Sequence, residues 1–168
     1  MNHSENPDID LSVNLGELGL INPVIAASGT FGYGLEFTDF LDLNHLGGFC
    51  TKGLSLKPRI GNPVPRVVET PSGMLNSIGL QNPGTKVVID EIMPSLKKNE
   101  TRFIINISGS SVEEYGEIAK HFDDTDIDAI EINISCPNIK EGGVAFGNDP
   151  EMSFRVVEIC RKNTTKPI

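Results

Sequence analysis

The sequence predicts an α/β fold in which parallel strands form a sheet covered by helices. Two observations support this: short, almost continuous apolar runs alternate with helical patterns, and polar residues follow those runs where each strand would end. Parallel strands are buried on both faces, so their apolar residues are continuous rather than alternating. Both (β/α)8 barrels and open doubly wound sheets place their sites at the carboxyl ends of such strands, so the pattern leaves both architectures open.

Four strands of the main sheet are predicted, together with the start of a fifth. Their apolar runs cover residues 24–27, 49–52, 103–107 and 129–134, and the fifth begins at 166–168. Glycines 16 and 19 divide residues 11–21 into two short strands, which predicts a hairpin before the main fold. The stretch 53–81 is rich in proline and glycine and much longer than a routine connection, which predicts a functional loop.

Two helices are predicted in the first half of the chain. The first has apolar residues between positions 35 and 43 and ends at Gly47-Gly48. The second is predicted to begin with Asn82 as its N-cap and Pro83 at the first helical position.

Two more helices are predicted in the second half. Ser111 and Glu114 form a capping box at the start of the first of them, and Asp149-Pro150 opens the other. The inner side of this last helix is predicted to consist of Val156, Val157 and Ile159.

The net charge of the 168 residues is −9, which makes nucleic acid or an anionic membrane surface an unexpected partner. Residues 1–10 are predicted to be a polar tail, and residues 11–168 the folded part of the chain. The tail has no signal-peptide pattern and no apolar run is long enough to cross a membrane, so a cytoplasmic protein without membrane attachment is expected. Three widely spaced cysteines and three scattered histidines predict neither a disulfide framework nor a metal site.

Cys136 and Lys52 are the two candidates for direct chemistry. Cys136 follows a predicted buried strand, and its thiol could deprotonate a carbon acid, although most such cysteines are small buried hydrophobes. Lys52 ends an apolar strand, where a cation could stabilise an anionic flavin or a substrate carboxylate, or could simply be a solvated surface charge. Cys50 and Cys160, inside a strand and a helix, are interpreted as structural.

Several amides and one glycine-rich turn are candidate binding elements. The segment 76–82 has amides and exposed backbone suited to a planar pyrimidine, or it is only a turn with a helix cap. Asn106 and Asn133 end adjacent strands, where they either bind a ligand or satisfy loop backbone. The turn 28–34 lacks the G-x-G-x-x-G fingerprint, and its glycines suit the close approach of a flat cofactor.

The order of motifs resembles dihydroorotate dehydrogenase over residues 11–168, essentially the whole chain. The motifs are Asn22-Pro23 with Ala27-Ser28-Gly29, Thr51-Lys52-Gly53, Gly61-Asn62-Pro63 with Pro65-Arg66, the segment 76–82, Asn106-Ile107-Ser108 and the segment 133–138. A cysteine at position 136 resembles the soluble class 1 enzymes, since the membrane-bound class has serine. The loop 138–150 is similar to that of the NAD-linked, two-subunit class 1B. The resemblance implies a parallel (β/α)8 barrel, of which this chain covers about the first four βα units.

The resemblance also implies an FMN-dependent oxidation of dihydroorotate to orotate in pyrimidine biosynthesis. Cys136 would be the catalytic base that takes the C5 proton, and Lys52 would offset charge on the flavin. The implied FMN contacts are Ser28, Lys52, Gly53, Asn106 and Asn133. The implied substrate contacts are Lys52, Asn76, Ser77, Ile78, Gly79, Leu80, Asn133 and Asn138. Electrons would pass to NAD through a partner subunit that carries FAD and a 2Fe-2S cluster, within a heterotetramer.

Three alternatives stay open beside the NAD-linked class. They are a fumarate-using class 1A enzyme, an enzyme similar to dihydropyrimidine dehydrogenase, and an inactive half-barrel that serves only as a binding module. Asn138 argues against the second, which typically has histidine there. The family's second flavin-contacting lysine would lie on strand five, beyond Ile168. The 168-residue polypeptide alone is therefore expected to bind FMN poorly and to turn over little dihydroorotate.

Overall fold

The centre of the fold is a four-stranded sheet in which every pair of neighbours is parallel. The computed structural model describes residues 9–96, 100–135 and 144–168. The sheet order is β3 (Ile25–Ala26), β4 (Gly48–Cys50), β7 (Arg102–Ile107) and β8 (Ala129–Ile132). Phe49 pairs with Phe103, and Ile105 pairs with Ile130, so the central strands are in register along their apolar residues. The four predicted strands are confirmed, each within a few residues of its predicted bounds.

The order of the strands in the sheet equals their order in the chain, so each connection advances in the same direction. The chain end continues this progression, because the backbone N–H of Ile130 donates to the carbonyl of Pro167 at 2.9 Å. Residues 166–168, the predicted start of a fifth strand, therefore lie beside β8, although they form no regular strand.

The helices of the described chain pack against one face of this sheet. Ile105, Ile107 and Ile130 point to that face, where they share one apolar core with Tyr115 and Val156 from two helices. A doubly wound sheet reverses its strand order and has helices on both faces. One-sided helices and an unreversed order therefore identify the sheet as part of a (β/α)8 barrel, which decides between the two architectures that the sequence pattern left open.

The opposite face of the sheet is covered near its amino end by the N-terminal hairpin. This hairpin consists of β1 (Val13–Leu15) and β2 (Leu18–Leu20), which pair antiparallel, as predicted. Leu18 and Leu20 pack with Cys50 and Ile104 in a second apolar cluster. The guanidinium of Arg102 donates from Nε to the carbonyl of Gly19 at 2.7 Å, which ties the hairpin to β7. The inner face is therefore apolar at its amino end.

Two long helices connect and follow β7 and β8. The first is α3 (Val112–Asp123), and its N-cap Ser111 accepts from the backbone N–H of Glu114 at 3.3 Å, as the capping box predicts. The second is α5 (Pro150–Asn163), preceded by the short α4 (Val144–Gly147). Val156 and Cys160 are buried in α5, whereas Val157 is 45% exposed, so its predicted inward position is wrong.

The helix predicted over 35–46 is wrong, because the chain forms two separate 3-10 turns, Leu35–Phe37 and Leu43–His45. Asp42 has an extended conformation between them, and its carboxylate accepts from the N–H of Asn44 at 3.0 Å. This local bond starts a new turn instead of continuing the first. Phe40, predicted to be an apolar helix residue, is 87% exposed.

The helical segment after the long loop begins at Thr85, not at Pro83 as predicted. It consists of α1 (Thr85–Val87), a π-helical turn (Val88–Ile92) and α2 (Met93–Ser95). Gly84 is the N-cap, and no side chain caps it. Asn82 is buried and accepts from the backbone N–H of Ser55 at 3.2 Å, so it joins two loops rather than capping the helix.

The predicted functional loop 53–81 contains a hairpin that the sequence pattern did not reveal. Its strands are β5 (Val67–Thr70) and β6 (Gly73–Asn76), which pair antiparallel and are exposed throughout. The strands were missed because the proline-rich flanks conceal two short apolar runs that have no buried face.

Replacing Asp149 with alanine is expected to destabilise the fold by about 1 kcal/mol. Its Oδ1 accepts from the backbone N–H groups of Glu151 at 2.9 Å and Met152 at 3.3 Å, and the variant leaves both donors unpaired. Urea unfolding measures the change. Glu158→Ala is the control on the same helix: its ion pair with Lys162 is exposed, so a loss below about 0.5 kcal/mol is expected. Equal losses in the two variants would contradict the capping role.

No helix among residues 9–96, 100–135 and 144–168 is long and apolar enough to cross a membrane.

Candidate functional site

The candidate site lies at the carboxyl ends of β4, β7 and β8, where the chain leaves the sheet. Cys50 pairs with Ile104, and Leu54 forms a parallel bridge with Ile107. The four-residue advance from Cys50 to Leu54 therefore lies opposite a three-residue advance from Ile104 to Ile107. The extra residue on the first side means that residues 51–53 form a bulge. Bulges redirect side chains and are common next to active sites. Lys52 and Gly53, two of the predicted site residues, lie in this bulge.

Gly53 is where three predicted site residues meet. A Cβ atom on Gly53 would lie 2.8 Å from Cδ1 of Leu80, 3.0 Å from Oδ1 of Asn106 and 3.5 Å from Nδ2 of Asn133. The first distance is shorter than real Cβ contacts and the second is tighter than most of them, whereas the third is an ordinary van der Waals contact, so a side chain at position 53 would have to displace Leu80 and Asn106. The structure thus brings Gly53, Leu80, Asn106 and Asn133 together.

A carboxylate, two amides and a serine form a continuous row of hydrogen bonds at β7 and β8, which we call the amide relay: Glu131, Asn106, Asn133 and Ser135. Nδ2 of Asn106 donates to Oε1 of Glu131, and Nδ2 of Asn133 donates to Oδ1 of Asn106 at 3.2 Å. Oδ1 of Asn133 then accepts from the backbone N–H of Ser135 at 3.2 Å and from its hydroxyl at 3.3 Å. Asn106 is only 2% exposed, so its amide is oriented by these bonds rather than by solvent.

Lys52 supplies a cation at the edge of this group. Its backbone N–H donates to the carbonyl of Gly32 at 2.6 Å, which ties the glycine-rich turn to the end of β4. Its side chain is half-buried, and within the described chain its ammonium group has no hydrogen-bond or ion-pair partner. A half-buried cation without a partner is suited to an anionic ligand.

Ser28 begins the glycine-rich turn and lies beside the end of β4. It is half-buried, and its backbone N–H faces the Cys50 thiol. Burial, and to a smaller degree the Glu131 carboxylate, raise the pKa of Cys50 to about 12. Burial likewise raises the pKa of Cys160 to about 11. Both thiols stay protonated at neutral pH, which agrees with their interpretation as structural cysteines.

The segment 76–80 returns from the exposed hairpin to the strand ends. Asn62 holds it: its backbone N–H donates to the carbonyl of Ile78 at 3.1 Å, and its Nδ2 donates to Oγ of Ser77 at 2.8 Å. Asn76 and Ser77 are exposed, whereas Gly79 and Leu80 are buried. Only the end of the predicted substrate segment thus reaches Gly53, and Asn76 and Ser77 lie further out.

Leu80 has a left-handed backbone, with φ at 54°. Such a conformation costs a non-glycine residue roughly 1–2 kcal/mol. Asn82 stabilises it by donating from Nδ2 to the Leu80 carbonyl at 2.8 Å, and the side chain of Leu80 is buried against Gly53. Backbone strain of this kind is frequent at functional sites, because the surrounding structure must maintain it.

Three features of the site were not predicted. Glu131 was missed as a site residue, although a carboxylate within the apolar run of β8 was a signal for it. Asn62 belongs to one of the family motifs but was not predicted as a site residue. The hydroxyl of Ser108, after β7, is buried without a hydrogen-bond partner among the residues that the structure describes. An unpaired buried hydroxyl at a strand end is unusual, and a ligand could supply its partner.

Cys136 and Asn138, the predicted base and one predicted substrate contact, lie outside the described residues. Within the described ranges, no group of three or more histidine, cysteine, aspartate or glutamate residues could hold a metal ion.

Comparisons with known proteins agree with this geometry. The family model described as dihydroorotate dehydrogenase matches residues 10–168. A protein of Pelobacter propionicus, named dihydroorotate dehydrogenase B (NAD(+)), catalytic subunit, is 55% identical over 160 residues, which cover 95% of this chain and 53% of that protein. A protein of the same name from Oceanobacillus iheyensis is 52% identical over 161 residues, with 95% and 53% covered. This chain thus spans about half the length of the curated relatives it matches.

A solved structure supports the fold independently. The crystal structure of DHODH from Eimeria tenella in complex with ferulenol matches with a TM-score of 0.71 at 22% identity, over 95% of this chain and 45% of that one. The likeness confirms that the four parallel strands and their helices form part of a (β/α)8 barrel. With the family model matching nearly every residue and relatives above 50% identity, the chain belongs to the dihydroorotate dehydrogenase family.

Proposed function

We propose that the protein to which this chain contributes oxidises dihydroorotate to orotate with FMN, in pyrimidine biosynthesis. The observation that supports this most directly is the group formed at the carboxyl ends of parallel strands by the amide relay, Gly53 and Lys52, whose ammonium group has no partner among the described residues. Barrels of this type have their active sites at that end. Relatives above 50% identity are named as catalytic subunits for this reaction.

The residues present fit a flavin. Ser28, Lys52, Gly53, Asn106 and Asn133 are the proposed contacts, and Gly53 is a position where backbone and amides approach closely. Each amide nitrogen of the relay has two hydrogens, and the bonds described above use one of them. Asn133, which is half-buried, could thus donate to a carbonyl or ring nitrogen of a planar ligand. When bound, FMN supplies the acceptor for the hydride that leaves C6 of dihydroorotate.

The chain's own residues have separate roles in the proposed reaction. The segment 76–80 would bind the pyrimidine together with Asn133 and Asn138. Lys52 would stabilise negative charge near the flavin or on the substrate carboxylate, and such charges count for more in a site that excludes water. Cys136 would accept the C5 proton, a role that needs a thiol less shielded than Cys50 or Cys160.

The electron acceptor is proposed to be NAD, reached through a partner subunit that carries FAD and a 2Fe-2S cluster. The names of the relatives support NAD as the acceptor. The proposed assembly is a heterotetramer of two catalytic and two electron-transfer subunits, located in the cytoplasm.

The test is anaerobic formation of orotate, followed by its ultraviolet absorbance, with the complete polypeptide that contains this chain. NADH formation that requires the co-expressed partner subunit is the expected result. Turnover with fumarate and no partner would instead identify a class 1A enzyme. Oxidation of dihydrouracil in place of dihydroorotate would indicate a dihydropyrimidine dehydrogenase-like enzyme. A flavin-free protein without either activity would leave the binding-module alternative.

A further inference from the structure

Glu131 is an unexpected residue in β8. Its neighbours Ile130 and Ile132 pack into the helix-facing core, so the alternation of a strand directs Glu131 to the opposite, inner face of the barrel. There its carboxylate interacts with the Cys50 thiol and accepts from Nδ2 of Asn106. It is half-buried, on the same face as the apolar cluster that includes Ala129.

A carboxylate in this position is costly by itself. Among the described residues it has no ion-pair partner, so its charge is compensated by hydrogen bonds. Burial of a charge without a cation is unfavourable, and an apolar residue would pack on the inner face at lower cost. A role for the carboxylate beyond stability is therefore expected.

That role follows from the donor-to-acceptor direction of the hydrogen bonds in the amide relay. An ionised carboxylate can only accept, so Asn106 must turn its NH2 group toward Glu131. Its Oδ1 is then available to Nδ2 of Asn133, and Oδ1 of Asn133 is left to accept from Ser135. Reversal of the relay would place the Asn133 NH2 group against the N–H of Ser135, two donors facing each other.

The far end of the relay is Ser135, which directly precedes the proposed base Cys136 in the sequence. The carbonyl of Asn133 is held as well, since it accepts from the hydroxyl of Tyr115 at 2.6 Å. The end of β8 is thus oriented from two sides, by Tyr115 through the backbone and by Glu131 through the two amides.

We infer that Glu131 is a positioning residue: through Asn106 it sets which way the amides of Asn106 and Asn133 face, and it thereby orients Ser135, the residue that precedes Cys136 in the sequence. This inference rests on the proposed function for its catalytic consequence, but its effect on flavin and orotate binding does not depend on turnover.

The experiment compares Glu131→Ala and Glu131→Gln in the complete holoenzyme. Glutamine has the same shape and can still accept through Oε1, but it can also donate, so it restores the relay only in part. Alanine removes the acceptor. We expect Glu131→Ala to weaken FMN binding, measured by flavin fluorescence, and orotate binding, measured by the shift in flavin absorbance, by about 10- to 100-fold each. Glu131→Gln should recover about half of each loss on a logarithmic scale and should stay below wild-type affinity.

Asp128→Asn is the matched control, since it removes another carboxylate next to β8. Asp128 pairs with Arg102 at 3.0 Å at the amino end of the sheet, away from the relay. This variant is expected to unfold at a lower temperature and to keep wild-type constants for FMN and orotate. Equal losses of ligand affinity in Asp128→Asn and Glu131→Ala would indicate general destabilisation and overturn the inference. Wild-type binding constants in Glu131→Ala would also overturn it, because the carboxylate would then have no effect on the site.

Kinetics separate this inference from the proposed function. In Glu131→Ala, kcat is expected to fall by about 10- to 100-fold at saturating dihydroorotate, with partial rescue by glutamine. If the wild-type holoenzyme binds FMN but fails to oxidise dihydroorotate, the proposed function is wrong, and the flavin affinities of the Ala and Gln variants still decide the role of Glu131. If Glu131→Ala does not fold, a Glu131→Gln protein with wild-type affinities and kcat overturns the need for a carboxylate.

Discussion

Replacement of Cys136 with alanine is expected to lower the rate of dihydroorotate oxidation by about 10²- to 10⁴-fold, the usual contribution of a general base. The flavin should still bind, because no FMN contact is proposed for this side chain. Stopped-flow reduction of the flavin by dihydroorotate measures the step directly. Serine in place of Cys136 should retain some activity that rises with pH, since a hydroxyl has a far higher pKa than a thiol.

The other two cysteines provide matched controls. Cys160 is fully buried in α5, and its pKa is raised to about 11, so Cys160→Ala should have wild-type rates of flavin reduction. Iodoacetamide at pH 7–8 should modify Cys136 and spare Cys50, whose pKa is about 12 and whose side chain is 6% exposed. Full activity after complete alkylation of Cys136 would rule out its role as base.

Replacement of Lys52 with glutamine is expected to lower kcat/KM by about 10²- to 10³-fold, comparable to the loss of one preorganised electrostatic group. Glutamine keeps a similar length and can still donate, so the change isolates the charge. The structure motivates a large effect because this half-buried ammonium group has no partner within the described chain and is adjacent to Gly53. FMN affinity and the flavin reduction potential should also fall, because a nearby cation stabilises the reduced, anionic flavin.

Lys57→Gln is the control for this prediction. Lys57 is an exposed lysine in the same connection, five positions after Lys52, and its removal changes the net charge by the same amount. We expect its kinetic constants to stay within about twofold of wild type, because exposed charges are screened by solvent and salt. If both lysine variants lose activity equally, a general electrostatic effect replaces the specific role of Lys52.

The site combines residues that are far apart in the chain by means of a single structural device, the parallel sheet. Thr51 illustrates this: its backbone N–H donates to the carbonyl of Ile104 at 3.0 Å, and its Oγ1 accepts from the N–H of Asn106 at 3.0 Å. The bulge after Cys50 is thus fastened to β7 at the point where the amide relay begins. Segments that follow β4, β7 and β8 therefore meet at one edge.

Much of the fold was predictable because its signals are local. Continuous apolar runs identified β3, β4, β7 and β8, and Ser111 and Asp149 identified the starts of α3 and α5 through their capping bonds. Predictions failed where a local contact competes with periodicity. Asp42 starts a second turn in place of a helix, and Asn82 bonds with Ser55 in place of capping a helix.

The candidate site was predictable to a different extent. Lys52, Gly53, Asn106 and Asn133 lie at or just after the carboxyl ends of strands that sequence patterns can identify, so their grouping at one edge was expected, and motif resemblance added the family. The sequence alone could not separate a barrel from a doubly wound sheet, because both contain alternating strands and helices; the one-sided packing of the helices decided it. Nor could it assign Glu131 to the amide relay, because the inner face and the register between β7 and β8 exist only once the strands pair.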